Sequence, residues 1–515
     1  MTGTGVLVRL ILRRDRVLMP LWVVILGVLP AGYAVSFAGL FPTAADRVEY
    51  ARVSMDNAGF LALLGPLRGS SLGELVAWRA GFLPVIIGLI SLLTVIRHTR
   101  ADEEAGRTEL IGAGVVDRRA PLAAALLTTI GANLVLALVT ALTLIARGLP
   151  APGSTLLAAG FALSGCVLAA VGAVAAQLTG SARTARAIAL LTLGAGYVLR
   201  LTDLAWLSPF DWVQHVFPYG QSEPFFPLLT FLAAVLVTAV AALLVSRRDL
   251  GAGLLPERSG RASAGPALNG PFGLAWRLHR GVLAGWVAGL TVLGLVLGAV
   301  TGSVAGLGDV FERLHFQQFG GVDPVDGFLS GMVGMLGLIA AAYAVQATLR
   351  LRDEEAAGHA ELVLATGRLR WAASHLVFSL LGPAVALLAG GAACGLAAGL
   401  ATGDVGHEVP AVLGGAAAQL PAVWVLAALT VLLLGVLPRQ SPAVWGILAA
   451  CLLILLAGPV LRLDQWVLDL SPFTHLPHLP GGPVSATPLV TLTALAVVLT
   501  ATGLAGLRRR DIPSA

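Results

Sequence analysis

Residues 102–110 read DEEAGRTEL, and residues 354–362 read EEAAGHAEL. At a constant offset of 252 they share Glu103/Glu355, Ala105/Ala357, Gly106/Gly358, Glu109/Glu361 and Leu110/Leu362. Working outward, other markers recur in the same order. Arg13 and Arg16 before Trp22 match Arg277 and Arg280 before Trp286, at an offset of 264. Leu207-Ser208-Pro209-Phe210 returns as Leu470-Ser471-Pro472-Phe473, and His215 matches His478 at the same offset of 263. Each half closes on Arg-Arg-Asp: Arg247, Arg248, Asp249 and Arg509, Arg510, Asp511. Alanine- and leucine-rich runs align with almost anything, but charged and proline markers in fixed order do not. The chain is therefore read as a duplication, residues 1–250 and 271–515, joined by a Gly/Ser/Pro-rich linker over 251–270.

What fills the space between markers is apolar. Of 515 residues, 57% are hydrophobic and 12% charged, and the mean hydropathy is +0.87. Globular chains carry about 25% charge. This composition excludes a soluble enzyme and a disordered chain; lipid must be the solvent. A bilayer span takes about 20 apolar residues. Twelve candidates fit: 17–39, 79–97, 121–146, 154–178, 185–200 and 226–246 in the first half. The second half offers 281–303, 327–349, 372–401, 410–436, 442–461 and 488–507. The segment at 185–200 is the shortest. The first span is too long for a signal-peptide core, and a similar segment recurs deep in the chain, where no signal peptide would work.

Placing the N-terminus in the cytoplasm puts 25 of the 33 arginines inside. That bias predicts cytoplasmic termini at both ends and an even span count. The net charge of +5 then needs no nucleic-acid partner. Two halves of six spans each enter the membrane in the same sense, so the repeats should be parallel, related by an axis along the membrane normal. No lysine occurs, so the phosphate-gripping lysine of a P-loop and any Schiff-base chemistry are excluded. Cys166, Cys394 and Cys451 sit in apolar runs without metal-ligand spacing.

The acidic loops are the chemical signal. Each suits a short helix, with Glu103 and Glu104 near the start of one, and Gly114 and Gly367 near the ends of the two copies. Glu103, Gly106 and Glu109, or Glu355, Gly358 and Glu361, would lie roughly along one helical side and dock a partner protein. The LSPF loops are rich in aromatics, among them Trp206, Trp212, Phe217 and Tyr219, as an interfacial belt would be. His215 and His478 read as hydrogen-bonded structural residues. No Asp or Glu falls near the middle of a candidate span. Asn133, Tyr343, Gln346 and Gln419 are the sparse polar residues there; they suit helix–helix hydrogen bonds, with one or two lining a path.

The pattern E-E-x-x-G-x-x-E-L after the second of six spans resembles the coupling segment of ABC-2-type exporter permeases. The arginine-bearing stretches at 6–16 and 270–280 look like that family's interfacial helix. The duplicated 12-span form is similar to actinobacterial polyketide-antibiotic exporter permeases of the tetronasin type. The resemblance covers the whole chain. It implies an all-α polytopic fold of the ABC-2 (type V exporter-like) kind in the bacterial plasma membrane. It also implies two copies of a separate P-loop ATPase, with ATP and Mg bound by those partners and no cofactor in this chain. By resemblance, Glu103, Gly106 and Glu109 contact one ATPase, and Glu355, Gly358 and Glu361 the other. The copies differ, since His359 replaces Arg107 and Ala360 replaces Thr108.

The expectation is a non-enzymatic permease subunit that exports hydrophobic small molecules, such as antibiotics, drugs or lipid-like cargo. An ion-coupled 12-helix secondary transporter is the alternative. It would need an intramembrane acid. A lipid-acting enzyme has only His215, Asp211 and Asp203 to offer.

Overall fold

The structure is a computed structural model. It describes residues 2–55, 60–61, 64–107, 116–200, 202–249, 251–255, 263, 265, 270–304, 324–356, 358, 367–461 and 464–510. Among the described residues every regular element is a helix. Contacts divide the chain into one unit of Met1–Asp56 with Phe60–Gly260, and a second of Asn57–Gly59 with Arg261–Ala515. Among the described residues, eleven helices are long and apolar enough to cross a bilayer. The segment expected as the fifth span is the helix Ala182–Leu199, which is outside those eleven. Its 18 residues open with Arg183 and Arg186, so its first turn is polar.

In the first unit, α1 (Thr4–Arg14) buries Leu7 and Ile11 and leaves Val6, Leu10 and Leu12 exposed. Its apolar residues run all along it, and Arg13 and Arg14 close its last turn. Next come α2 (Leu18–Leu40), α3 (Ala44–Met55) and α4 (Leu72–Arg79). Ser71 starts α4 with a capping box: its side chain accepts from the Glu74 amide, and Glu74 accepts from the Ser71 amide. Helices α5 (Leu83–His98), α6 (Arg100–Glu104), α7 (Ala120–Ala146) and α8 (Ala151–Leu178) follow. The last three are α9 (Ala182–Leu199), α10 (Pro209–Gln214) and α11 (Phe225–Arg247). The core lies around α8, where Phe161, Leu168, Ala169, Ala173 and Ala176 are at most 3% exposed. By contrast α11 shows Leu232, Val235 and Leu236 on its outside, as a lipid-facing helix does.

The second unit holds α12 (Pro271–Val304), α13 (Pro324–Ala356), α14 (Arg368–Thr402) and α15 (Val405–Val436). It ends with α16 (Val444–Leu461), α17 (Gln465–Leu468) and α18 (Ala486–Arg509). Its core runs through Leu329, Leu336, Tyr343, Leu387 and Val423. Helices α12 and α14 pack backbone to backbone. A Cβ at Gly294 would overlap the Gly390 carbonyl, and one at Gly298 the Cys394 carbonyl. Small residues are what allow helices to approach that closely in lipid, where dispersion and not water exclusion drives association.

Candidate functional site

The two acidic motifs end on the same backbone turn. Gly106 has φ +70° and Gly358 φ +72°. The Gly106 amide donates to the Glu103 carbonyl at 3.0 Å, and the Gly358 amide to the Glu355 carbonyl at 3.1 Å. A left-handed residue just past a helix end is a glycine position, because a Cβ there meets the following carbonyl. Glu103 lies in the last turn of α6 and Glu355 in that of α13, and a left-handed glycine follows each. Glu109 and Glu361, expected on one side with them, lie outside the described residues. Gly114 also lies outside them, while Gly367 begins α14 with φ +97°.

The local routes into the turn differ. In the first half the helix breaks at Thr99, whose hydroxyl donates back to the Val95 carbonyl at 2.6 Å, and α6 is a separate five-residue helix. In the second half α13 runs unbroken from Pro324 to Ala356.

The carboxylates of Glu103 and Glu355 are turned into their own halves. The Glu103 side chain is 6% exposed. Its two oxygens accept from Arg248 Nη1 and Nη2, each at 2.8 Å, a bidentate pair. The Gly251 amide donates to Oε1 at 2.7 Å, and Arg100 Nη1 lies 3.3 Å from Oε2. Arg248 also donates through Nε to Gln177 Oε1 at 2.6 Å. Arg100, itself 1% exposed, donates to the Ala176 carbonyl through Nε at 2.9 Å and Nη2 at 2.7 Å. The neighbouring Glu104 accepts from the Ala182 amide at 2.9 Å and so caps α9.

The second half repeats the pair with equivalent residues. Arg510 Nη2 meets both oxygens of Glu355, whose side chain is 9% exposed. Arg368 Nη1 donates to the Arg510 carbonyl at 2.7 Å and ties in α14. Thus the repeated acid of the loop and the second arginine of the terminal Arg-Arg-Asp find each other twice. Sequence reading noticed both motifs and missed their pairing. The signal was their joint recurrence, Glu103 with Arg248 and Glu355 with Arg510.

Around this core the halves diverge. In the first, Asp15 (4% exposed) meets His98 Nε2 at 2.7 Å and Arg97 Nη2 at 2.7 Å. Asp102 takes Arg14 at 2.7 Å and Arg107 at 2.6 Å, linking α1 to the turn. In the second, the residue that aligns with Asp15 is His279. It sits 3.0 Å from His375 Nδ1, and both are 3% exposed.

The polar residues expected within spans are placed as follows. Asn133 is fully buried and donates to Ser91 Oγ at 3.0 Å and to the Thr129 carbonyl at 3.0 Å. Tyr343 is fully buried against Gly382. Gln419 is 6% exposed against Gly337. Gln346 is exposed and accepts from Trp286 Nε1 at 2.8 Å.

At the opposite end of each half, the LSPF serines do the same work. Ser208 accepts from the Phe210 and Asp211 amides to start α10, and Ser471 accepts from the Phe473 amide to start a 3-10 turn, Pro472–His475. The histidines do not behave alike. His215 Nδ1 lies 3.3 Å from Asp211 Oδ2 and 3.0 Å from its carbonyl, and this hydrogen bonding raises its pKa. Threonine, Thr474, stands where that aspartate would be, and burial pushes the pKa of His478 down.

Long apolar helices, with charges gathered and paired at their ends, define a multi-pass helical membrane protein. Residues 268–508 match the family described as multidrug efflux system permease Rv1217c, C-terminal domain. Over 526 aligned positions the chain is 44% identical to the multidrug efflux system permease protein Rv1217c of Mycobacterium tuberculosis, covering 99% of this chain and 95% of that protein. The chain belongs to this family of efflux-system permeases.

Proposed function

We propose that the chain is the permease subunit of an ATP-driven exporter of the ABC-2 type, similar to the tetronasin-type permeases. It has twelve spans in two parallel six-helix halves, 1–250 and 271–515, with the linker 251–270 and both termini in the cytoplasm. Two copies of a separate P-loop ATPase bind ATP and Mg, and the cargo is a hydrophobic small molecule, a drug or antibiotic. The efflux-system name of the Mycobacterium tuberculosis relative supports that cargo class.

One observation carries the reading: each acidic turn is clamped to the last helix of its own half by the same ion pair. A surface loop that merely obeyed topology would not need a buried clamp. A loop that receives force from a partner does. Displacement of the first turn passes through Arg248 to α11 and through Arg100 and Gln177 to α8. Displacement of the second passes directly along α13, and through Arg510 and Arg368 to α18 and α14. Coupling is carried by packed, paired elements of this kind.

The docking contacts then fall to Gly106, Glu109, Gly358 and Glu361 and their neighbours, with Glu103 and Glu355 holding the turns from within. Among the polar residues within spans, Gln346 is the one exposed on its half and suits a pathway-lining role. Such a role for Asn133, Tyr343 or Gln419 requires their helices to part during the cycle.

The test is gentle purification of the tagged permease from its native host, with its companions identified by mass spectrometry. A P-loop ATPase should accompany it and be lost when Glu109→Arg and Glu361→Arg are combined. A permease free of any ATPase that transports in vesicles under an ion gradient alone would overturn the reading in favour of a secondary transporter.

A further inference from the structure

The first half contains a cavity of about 490 Å³ at the end away from the acidic turn. Ligand sites for drug-sized molecules span roughly 300–1,000 Å³, with mostly apolar walls and few polar groups. This cavity has that character. Its walls come from α4, the start of α8, α10 and the segment after it.

The walls are held in place before any ligand arrives. Trp78 is 5% exposed, and its Nε1 donates to the Gly65 carbonyl at 2.8 Å. Tyr219 shares a hydrogen bond of 2.9 Å with Ser154, and its ring lies so close to Gly73 and Gly153 that neither could carry a Cβ. Phe217 has φ +42°, the one non-glycine in the left-handed region among the described residues. Such a backbone costs of order 1–3 kcal/mol for a bulky residue and clusters at ligand clamps. Here it sets the Phe217 ring under Arg68, whose guanidinium carbon is 3.7 Å from the ring centroid.

The rim carries one cation, Arg68, and one carboxylate, Glu74. Glu74 Oε2 accepts from the Ser71 amide at 3.0 Å and from Ser71 Oγ at 2.6 Å, which holds that carboxylate at the start of α4. Arg68 is exposed and forms no ion pair among the described residues. A guanidinium on an aromatic face keeps its in-plane N–H donors free for a carboxylate or sulfonate.

We propose that this cavity binds an aromatic organic anion. The apolar ring system lies against Trp78, Phe161 and Tyr219, and the anionic group meets Arg68. Binding needs only the folded first half and does not depend on an ATPase or on export.

The test uses the full-length permease in nanodiscs of zwitterionic lipid, with empty nanodiscs as background. The probes are the anion 1-anilinonaphthalene-8-sulfonate and its neutral relative N-phenyl-1-naphthylamine, titrated by fluorescence. Arg68→Ala should weaken the anion by about tenfold, equivalent to about 1.4 kcal/mol, and the neutral probe by less than about twofold. Arg68→Lys should recover part of the anion affinity. Ala77→Trp, which fills the cavity from α4, should remove saturable binding of both. Equal effects of Arg68→Ala on the two probes would overturn the assignment. So would wild-type anion affinity in either the Arg68→Ala or the Ala77→Trp protein. Since Arg68 is exposed, its variants keep the test decisive even if Ala77→Trp fails to fold.

Discussion

Replacing Arg248 with alanine removes both hydrogen bonds to Glu103 and the one to Gln177. Glu103 would stay buried, retaining the Gly251 amide at 2.7 Å and Arg100 at 3.3 Å. Breaking a buried pair by deleting one partner costs about 3–5 kcal/mol. The remaining donors offset part of that, so the low end applies, about 3 kcal/mol for the acidic turn. At 1.4 kcal/mol per factor of ten, opening of the turn should become about 100-fold more frequent.

Amide hydrogen exchange, followed by mass spectrometry on the permease in nanodiscs, reads this directly. Peptides containing Glu103, Ala105 and Gly106, whose amides donate to Thr99, Ala101 and Glu103, should exchange about 100-fold faster. Peptides over α4, at the other end of the half, should not change. Exchange at the turn within about threefold of wild type would refute the clamp, since that corresponds to well under 1 kcal/mol. A uniform rise across the half would mean general destabilisation instead.

The same logic predicts that Arg510→Ala loosens the Glu355 turn and leaves exchange at Glu103 unchanged. Asp15→Ala leaves the buried His98 and the partly exposed Arg97 without their acceptor and should lower the melting temperature, with a cost of about 2 kcal/mol read by thermal unfolding. Gly298→Leu should separate α12 from α14 and destabilise the second half by at least about 2 kcal/mol, visible as a lower melting temperature. For pH, the raised folded pKa of His215 adds stability that is complete below its unfolded pKa and is lost as pH rises through the folded value. The lowered pKa of His478 acts the other way: its neutral form is favoured, and stability falls as pH drops toward the folded value. Asp211→Asn should therefore flatten the His215 component in pH-dependent melting curves and leave that of His478 intact.

The membrane class and the apolar helices were legible from residue order alone. Hydrophobic length is a property of local composition, and it needs no knowledge of which helix meets which. The serines of the LSPF repeats were equally local, since a side chain two residues from the amide it caps needs no tertiary partner. Gly106 and Gly358 stood out by recurrence, but their left-handed backbone, part of the turn after Glu103 and Glu355, did not. The pairing of Glu103 with Arg248 spans 145 positions, and that of Glu355 with Arg510 spans 155. Only tertiary packing, of α11 on α8 in the first half and of α18 and α13 on α15 in the second, brings those charges together. Burial then makes each pair obligatory, because an isolated charge in that setting is too costly to leave. The cavity beside Arg68 has the same origin: its walls come from stretches near positions 64–84, 157–161 and 213–221, joined only when the helices close around them.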